Sequence, residues 1–128
     1  MLKLRIFVLD DNQERIDYFT KQFDNHDLII HYKINKQTYN ILKEEKFDIL
    51  FLDHDLENHH SVSPEKNGQT IALFLTQNKL QQHAIIYIHS MNPVGANNMV
   101  KIFNNAGYEV QWIPYHLLKQ CGGINEKT

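Results

Sequence analysis

The stretch from Phe47 to Leu56, FDILFLDHDL, constrains the fold more than any other part of the chain. Ile49, Leu50, Phe51 and Leu52 form an unbroken apolar run that stops abruptly at Asp53, His54 and Asp55. Shortness and an abrupt polar end favour a strand over a buried helix, and an uninterrupted run is the pattern of a strand covered on both faces. Such strands belong to α/β folds, where ligands sit beyond the carboxyl ends of a parallel sheet. Folding gives no reason to place two carboxylates and an imidazole there. The constraint is therefore double: a central parallel strand, and a polar cluster at its end.

The remainder supplies neighbours for that strand. Residues 4–9 (LRIFVL) read as a first strand ending at Asp10 and Asp11, and residues 28–34 (LIIHYKI) as an edge strand. Residues 84–88 (AIIYI) form a fourth strand that runs into His89 and Ser90, and residues 110–113 a fifth, closed by Pro114. Ile16, Tyr18, Phe19 and Phe23 recur at helical spacing behind an Asn12 cap, with Glu14 in the first turn where the helix dipole favours an anion. Further helices are predicted from Asn35 to about Lys46, from Gly68 to Asn78, and from Asn92-Pro93 to Asn105, the last ended by Gly107. A short helix over 115–120 precedes a tail, from about residue 121, that is expected to fray. Residues 57–67 (ENHHSVSPEKN) lack periodicity and exceed the usual ~2–6-residue connection, which predicts a lid.

Strands alternating with helices imply a three-layer α/β fold, a five-stranded parallel sheet with right-handed crossovers, in one domain spanning 1–128. The flavodoxin-like order 2-1-3-4-5 puts the topological switch between the first and third strands. It brings Asp10 and Asp11 beside Asp53 and His54, with His89 on the adjoining strand end.

A net charge of −2 leaves no broad basic face for a nucleic-acid backbone, so a bound phosphate has to be held by local geometry. The single cysteine, Cys121, excludes an internal disulfide and is expected to be inert. No apolar run approaches the ~20 residues of a membrane span. Lys3 and Arg5 interrupt the apolar start, so no signal peptide is expected and a cytoplasmic location is.

The paired acids at 10–11, the strand-final Asp53 and the alternation of strands and helices resemble the receiver domains of response regulators. In those domains the corresponding groups hold Mg²⁺, and the third-strand aspartate accepts a phosphoryl group. Two positions depart from that pattern. His89 stands where receivers carry Ser or Thr, and Ile113 stands before Pro114 where they carry lysine. A narrower family absorbs both departures. LDHDL at 52–56, NGQTIALFL at 67–75 and HSMNPVGANNM at 89–99 resemble the receiver-like family named for processing cyclic phosphates, over about Leu4 to Ala106. The resemblance implies a small phosphorylated or nucleotide substrate and a phosphodiesterase that opens its cyclic phosphate. A module that binds a cyclic nucleotide without turnover, and a degenerate receiver acting by protein contact, are the other readings.

Opening a cyclic phosphodiester requires a base, an acid for the departing ribose oxygen, and neutralisation of the non-bridging oxygens. Imidazoles serve either proton role near neutral pH, which makes His54 and His89, with Asp53, the catalytic candidates. Ser90, Asn92 and Gly95, at the start of the fourth helix, are the candidates for holding the phosphate. Asp10, Asp11, Asp53 and Asp55 could hold Mg²⁺ or another divalent cation, which prefers oxygen ligands. Strand alternation sets His54 against Asp53 and Asp55, unless the strand has ended by then. His59 and His60 read as solvated loop residues, and His26, His31, His83 and His116 as surface residues. Trp112 reads as core. Asn98 and Met99 lie inside the helix, open to packing or contact.

Overall fold

The computed structural model describes residues 2–56 and 66–120. The elements follow one another as β1 (Arg5–Leu9), α1 (Gln13–Gln22), β2 (Asp27–His31), α2 (Lys36–Glu44), β3 (Ile49–Leu52) and α3 (Gly68–Gln77), then β4 (Ile85–Ile88), α4 (Pro93–Asn105), β5 (Glu109–Trp112) and α5 (Tyr115–Gln120). The strands form one sheet in the order β2-β1-β3-β4-β5, parallel at every junction. This is the expected topology. The second strand is shorter than its apolar pattern suggests, because the chain leaves the sheet at His31 and Ile34 packs in the core beyond it.

Strand periodicity divides the interior into two apolar clusters, one on each face of the sheet. Phe7, Leu9, Leu50, Leu52, Ile86 and Ile88 pack with Leu42 of α2, Ile71 and Leu75 of α3, and Met99 and Phe103 of α4. Ile6, Val8, Ile49 and Phe51 face the other way, onto Phe19 of α1 and Leu118 of α5. Helices thus cover both faces, which is why the central strands carry no alternation.

Asparagines cap the helices at their starts. Asn12, Asn35, Asn67 and Asn92 each accept a backbone N–H through the side chain, and Asn35 and Asn67 complete capping boxes with Thr38 and Thr70. Each such cap contributes about 1 kcal/mol. Gly107 follows α4 at φ +83, in the left-handed region a glycine adopts without strain. Gly68 allows a tighter junction: a Cβ there would lie 2.1 Å from the Asp53 carbonyl oxygen. The carboxyl end of β3 therefore touches the start of α3 directly.

Candidate functional site

The same periodicity decides which side chains meet at the carboxyl edge. Two residues beyond Val8, Phe51 and Tyr87 lie Asp10, Asp53 and His89, and each turns to the α1/α5 face as its predecessor does. They present potential ligand atoms that all lie within 4.8 Å of one another, and all three residues are buried. His89 Nε2 is 2.6 Å from Asp10 Oδ2, and neither residue is exposed at all. Phe19 and Phe51 hold the imidazole edge-on at centroid distances of 5.1 and 6.4 Å. Asp10 Oδ1 accepts the Asn12 backbone N–H at 2.9 Å.

Arg15 enters this cluster from α1. Its Nε is 3.3 Å from Asp10 Oδ2, an ion pair not aligned as a hydrogen bond, and Nη2 is 3.9 Å from Asp53 Oδ2. The guanidinium lies 5.6 Å from the centre of the Tyr115 ring, which fixes it from the α5 side. Asp53 Oδ1 accepts the His54 backbone N–H at 2.9 Å, whereas Asp53 Oδ2 has no hydrogen-bond partner. His89 Nδ1 and the Tyr115 hydroxyl are likewise buried without partners. Burial pushes the Asp53 carboxyl up to about 6; the charge of Asp10 adds to this, while His89, Arg15 and the His54 N–H oppose it. The cluster therefore holds a carboxyl group that changes charge close to neutral pH.

The remaining candidates collect on the α3/α4 side. β3 ends at Leu52, and beyond it His54 turns to the side opposite Asp53, with Asp55 beside it. Its Nδ1 is 2.7 Å from Asp55 Oδ1, and its ring lies against Gly95, where a Cβ would approach within 2.4 Å. The close approach that Gly95 permits is thus to an imidazole. Asn92 Oδ1 accepts the Gly95 N–H at 3.1 Å, and its Nδ2 lies 3.4 Å from Asp55 Oδ1. Ser90 is buried; its hydroxyl oxygen accepts the Asn92 N–H at 3.0 Å, and its carbonyl accepts the Trp112 indole N–H at 2.8 Å. With Gly95 N–H taken and Pro93 lacking one, the first turn of α4 has fewer donors for an anion than its sequence suggests.

The fold thus unites Asp10, Asp53 and His89, and sets His54, Asp55, Ser90, Asn92 and Gly95 apart on the neighbouring face. Asp11 is half-buried and outside the three-residue cluster. Met99 is core and Asn98 exposed. Two histidines expected at the surface are tied instead: His26 Nδ1 accepts the Leu4 N–H at 3.0 Å, and His31 Nδ1 lies 2.8 Å from Thr38 Oγ1, with burial lowering its pKa. His59, His60 and Cys121 lie outside the described residues. Arg15 was not singled out from sequence, yet it carried one sign. It sits in the first turn of a helix, where the dipole disfavours a cation.

Receiver folds hold Mg²⁺ through acidic residues at this edge, and an Asp–Asp–His cluster is present here. Its oxygens are largely taken. Asp10 Oδ1 serves the Asn12 N–H, Asp10 Oδ2 faces His89 and Arg15, and Asp53 Oδ1 serves the His54 N–H, which leaves one open oxygen beside a guanidinium. A hard divalent ion needs several oxygen ligands, so the residues as placed do not fit it.

Among protein families, the model of the cyclic-phosphate processing receiver domain matches residues 5–105. No curated protein sequence matches the chain. Among solved structures, similar folds include a response regulator from Burkholderia pseudomallei with a phosphorylated aspartic acid, calcium ion and citrate (17% identity, 97% of this chain and 68% of that one, TM-score 0.63). The phosphorylated cyanobacterial phytochrome response regulator RcpA matches at 14% identity over 94% of this chain and 89% of that one, TM-score 0.66. A CheY-like receiver domain protein from Methanospirillum hungatei JF-1 matches at 19% identity over 94% and 91%, TM-score 0.61. At these identities the likeness is one of fold. Among the described residues no helix is long and apolar enough to cross a membrane.

Proposed function

This chain belongs to the cyclic-phosphate processing receiver domain family, and on that premise we propose that it is a phosphodiesterase opening a cyclic phosphate on a nucleotide, an ADP-ribose derivative or an RNA end. One observation carries the reading. Asp53, with an unpartnered Oδ2 and a carboxyl raised to about 6, closes one side of the β3 end, and His54, whose Nδ1 is held by Asp55, closes the other. A base poised near operating pH and a second proton carrier across the same strand end are what ring opening needs.

Asp53 takes a proton from water as the water oxygen bonds to phosphorus. The bond from phosphorus to one ribose oxygen breaks, and that oxygen takes a proton from His54 Nε2. Asp55 orients the ring for this transfer. His89 is sealed from solvent and acts through Asp10, holding that carboxylate in place. Arg15 supplies positive charge for the non-bridging oxygens. A cleft of about 690 Å³, lined by Asn12, Arg15, Tyr115 and Lys119 and by neither Asp53 nor His54, opens on the α1/α5 side.

A second reading, binding without turnover, is favoured by the 2% exposure of Asp53. Incubation with 2′,3′-cyclic nucleotides, 3′,5′-cyclic nucleotides, cyclic oligonucleotides and an ADP-ribose cyclic phosphate, with Mg²⁺ or with EDTA, separates the two by chromatography. Enzymatic action predicts an opened product in at least one case. It also predicts a rate rising as Asp53 ionises through about 6 and a loss on the order of 10²–10⁴-fold in Asp53→Asn. Recovery of every compound intact, with one of them bound, would establish the second reading.

A further inference from the structure

We propose that Arg15 is the resident cation of the acidic site, occupying between Asp10 and Asp53 the place that a divalent metal ion takes in receiver folds. The proposal does not depend on which substrate is processed, or on whether any is.

Four features support it. Asp10 and Asp53 bring two carboxylates into a volume with almost no solvent, and isolated buried charge is not tolerated without compensation. Among the described residues, Arg15 is the arginine or lysine within ion-pair distance of both, at 3.3 and 3.9 Å. Its position is costly: as the third residue of α1 it meets the positive end of the helix dipole, and only a strong anionic partner offsets that. Finally, its side chain is just 13% exposed and lies against the Tyr115 ring, so it is held inward instead of extending to water as a surface arginine would.

A guanidinium is permanently charged and carries donors in a fixed fork, so its single charge offsets one of the two carboxylates in any state of the site. It also closes the site to a hard cation. Entry of Mg²⁺ would require Arg15 to leave both carboxylates, and the two positive charges cannot share the space between them. The lysine that receivers place before the strand-five proline is Ile113 here, and Arg15 restores one positive charge at the edge from the opposite end of the chain.

The test is Mn²⁺ titration followed by electron paramagnetic resonance, repeated with Mg²⁺ by calorimetry. The wild-type protein is expected to show no saturable site at the acidic cluster, and its melting temperature to be the same in Mg²⁺ and in EDTA. Arg15→Gln, or Arg15→Ala should the first fail to fold, is expected to bind Mn²⁺ at least about tenfold more tightly than wild type. That gain should vanish in Arg15→Gln/Asp53→Asn. A saturable wild-type site abolished by Asp53→Asn would overturn the proposal. So would folded Arg15 variants that gain no site.

Discussion

The two halves of the sheet's carboxyl edge treat their polar groups in opposite ways. On the α3/α4 side each named group closes a local hydrogen bond: Ser90 onto the Asn92 N–H, Asn92 onto the Gly95 N–H, Trp112 onto the Ser90 carbonyl, His54 onto Asp55. On the α1/α5 side, Asp53 Oδ2, His89 Nδ1, Arg15 Nε and the Tyr115 hydroxyl are buried without a hydrogen bond, although ion pairs reach the first and the third. An unmatched buried polar atom costs about 1–3 kcal/mol, so four together are not what stability selects. The first half is scaffold that fixes where α4 begins. The second holds the acid whose charge changes near neutral pH, facing His54 across the strand end, and it draws its order from long-range charge pairs.

Substitutions that cross this divide should separate the halves. His89→Ala, which leaves Asp10 without its 2.6 Å partner and opens a void beside Phe19, should destabilise the fold by about 3–5 kcal/mol in denaturant unfolding. Asp53→Asn should do the reverse. The folded carboxyl keeps its proton up to about 6, whereas an unfolded one releases it near 3.8. The group's contribution to stability is therefore full below the lower value and falls as pH rises to the upper one. By neutral pH the penalty is constant, at most roughly 3 kcal/mol. Asp53→Asn should thus raise stability at neutral pH by about 1–3 kcal/mol, and lose that advantage in acid.

Smaller effects belong to the scaffold half. Gly95→Ala drives a methyl into the His54 ring and should cost about 1–2 kcal/mol, with His54 displaced from Asp55. Its NMR signature is a shift of the His54 ring resonances with those of His89 unchanged. Asn92→Ala removes a cap and should cost about 1 kcal/mol, independent of pH. Should Asn92→Ala prove as damaging as His89→Ala, the division between the halves would be lost.

Much of this was legible in the sequence. Counting by two from Val8 to Asp10, from Phe51 to Asp53 and from Tyr87 to His89 reaches the cluster without coordinates, once the strand order is inferred from the alternation of elements. The same count sets His54 opposite Asp53 but returns Asp55 to the Asp53 side, whereas Asp55 lies with His54 because β3 has already ended at Leu52. Helix starts were readable because asparagine caps act through residues two or three positions away. Arg15 was not, because what turns it inward is Tyr115, from the last helix. His26 and His31 were misjudged for a similar reason: the Leu4 N–H and the Thr38 hydroxyl that hold them belong to other elements. Local rules recover caps and faces. Charge pairing between distant elements needs the fold.

The most direct measurement is an NMR titration of the Asp53 side-chain carboxyl carbon, assigned by its loss in Asp53→Asn. A midpoint near 6 is expected from a carboxylate sealed against the α1/α5 face beside Asp10. A midpoint in the ordinary aspartate range, near ~4, would mean that Asp53 is solvated or otherwise paired, and the buried acid cluster would not exist as described.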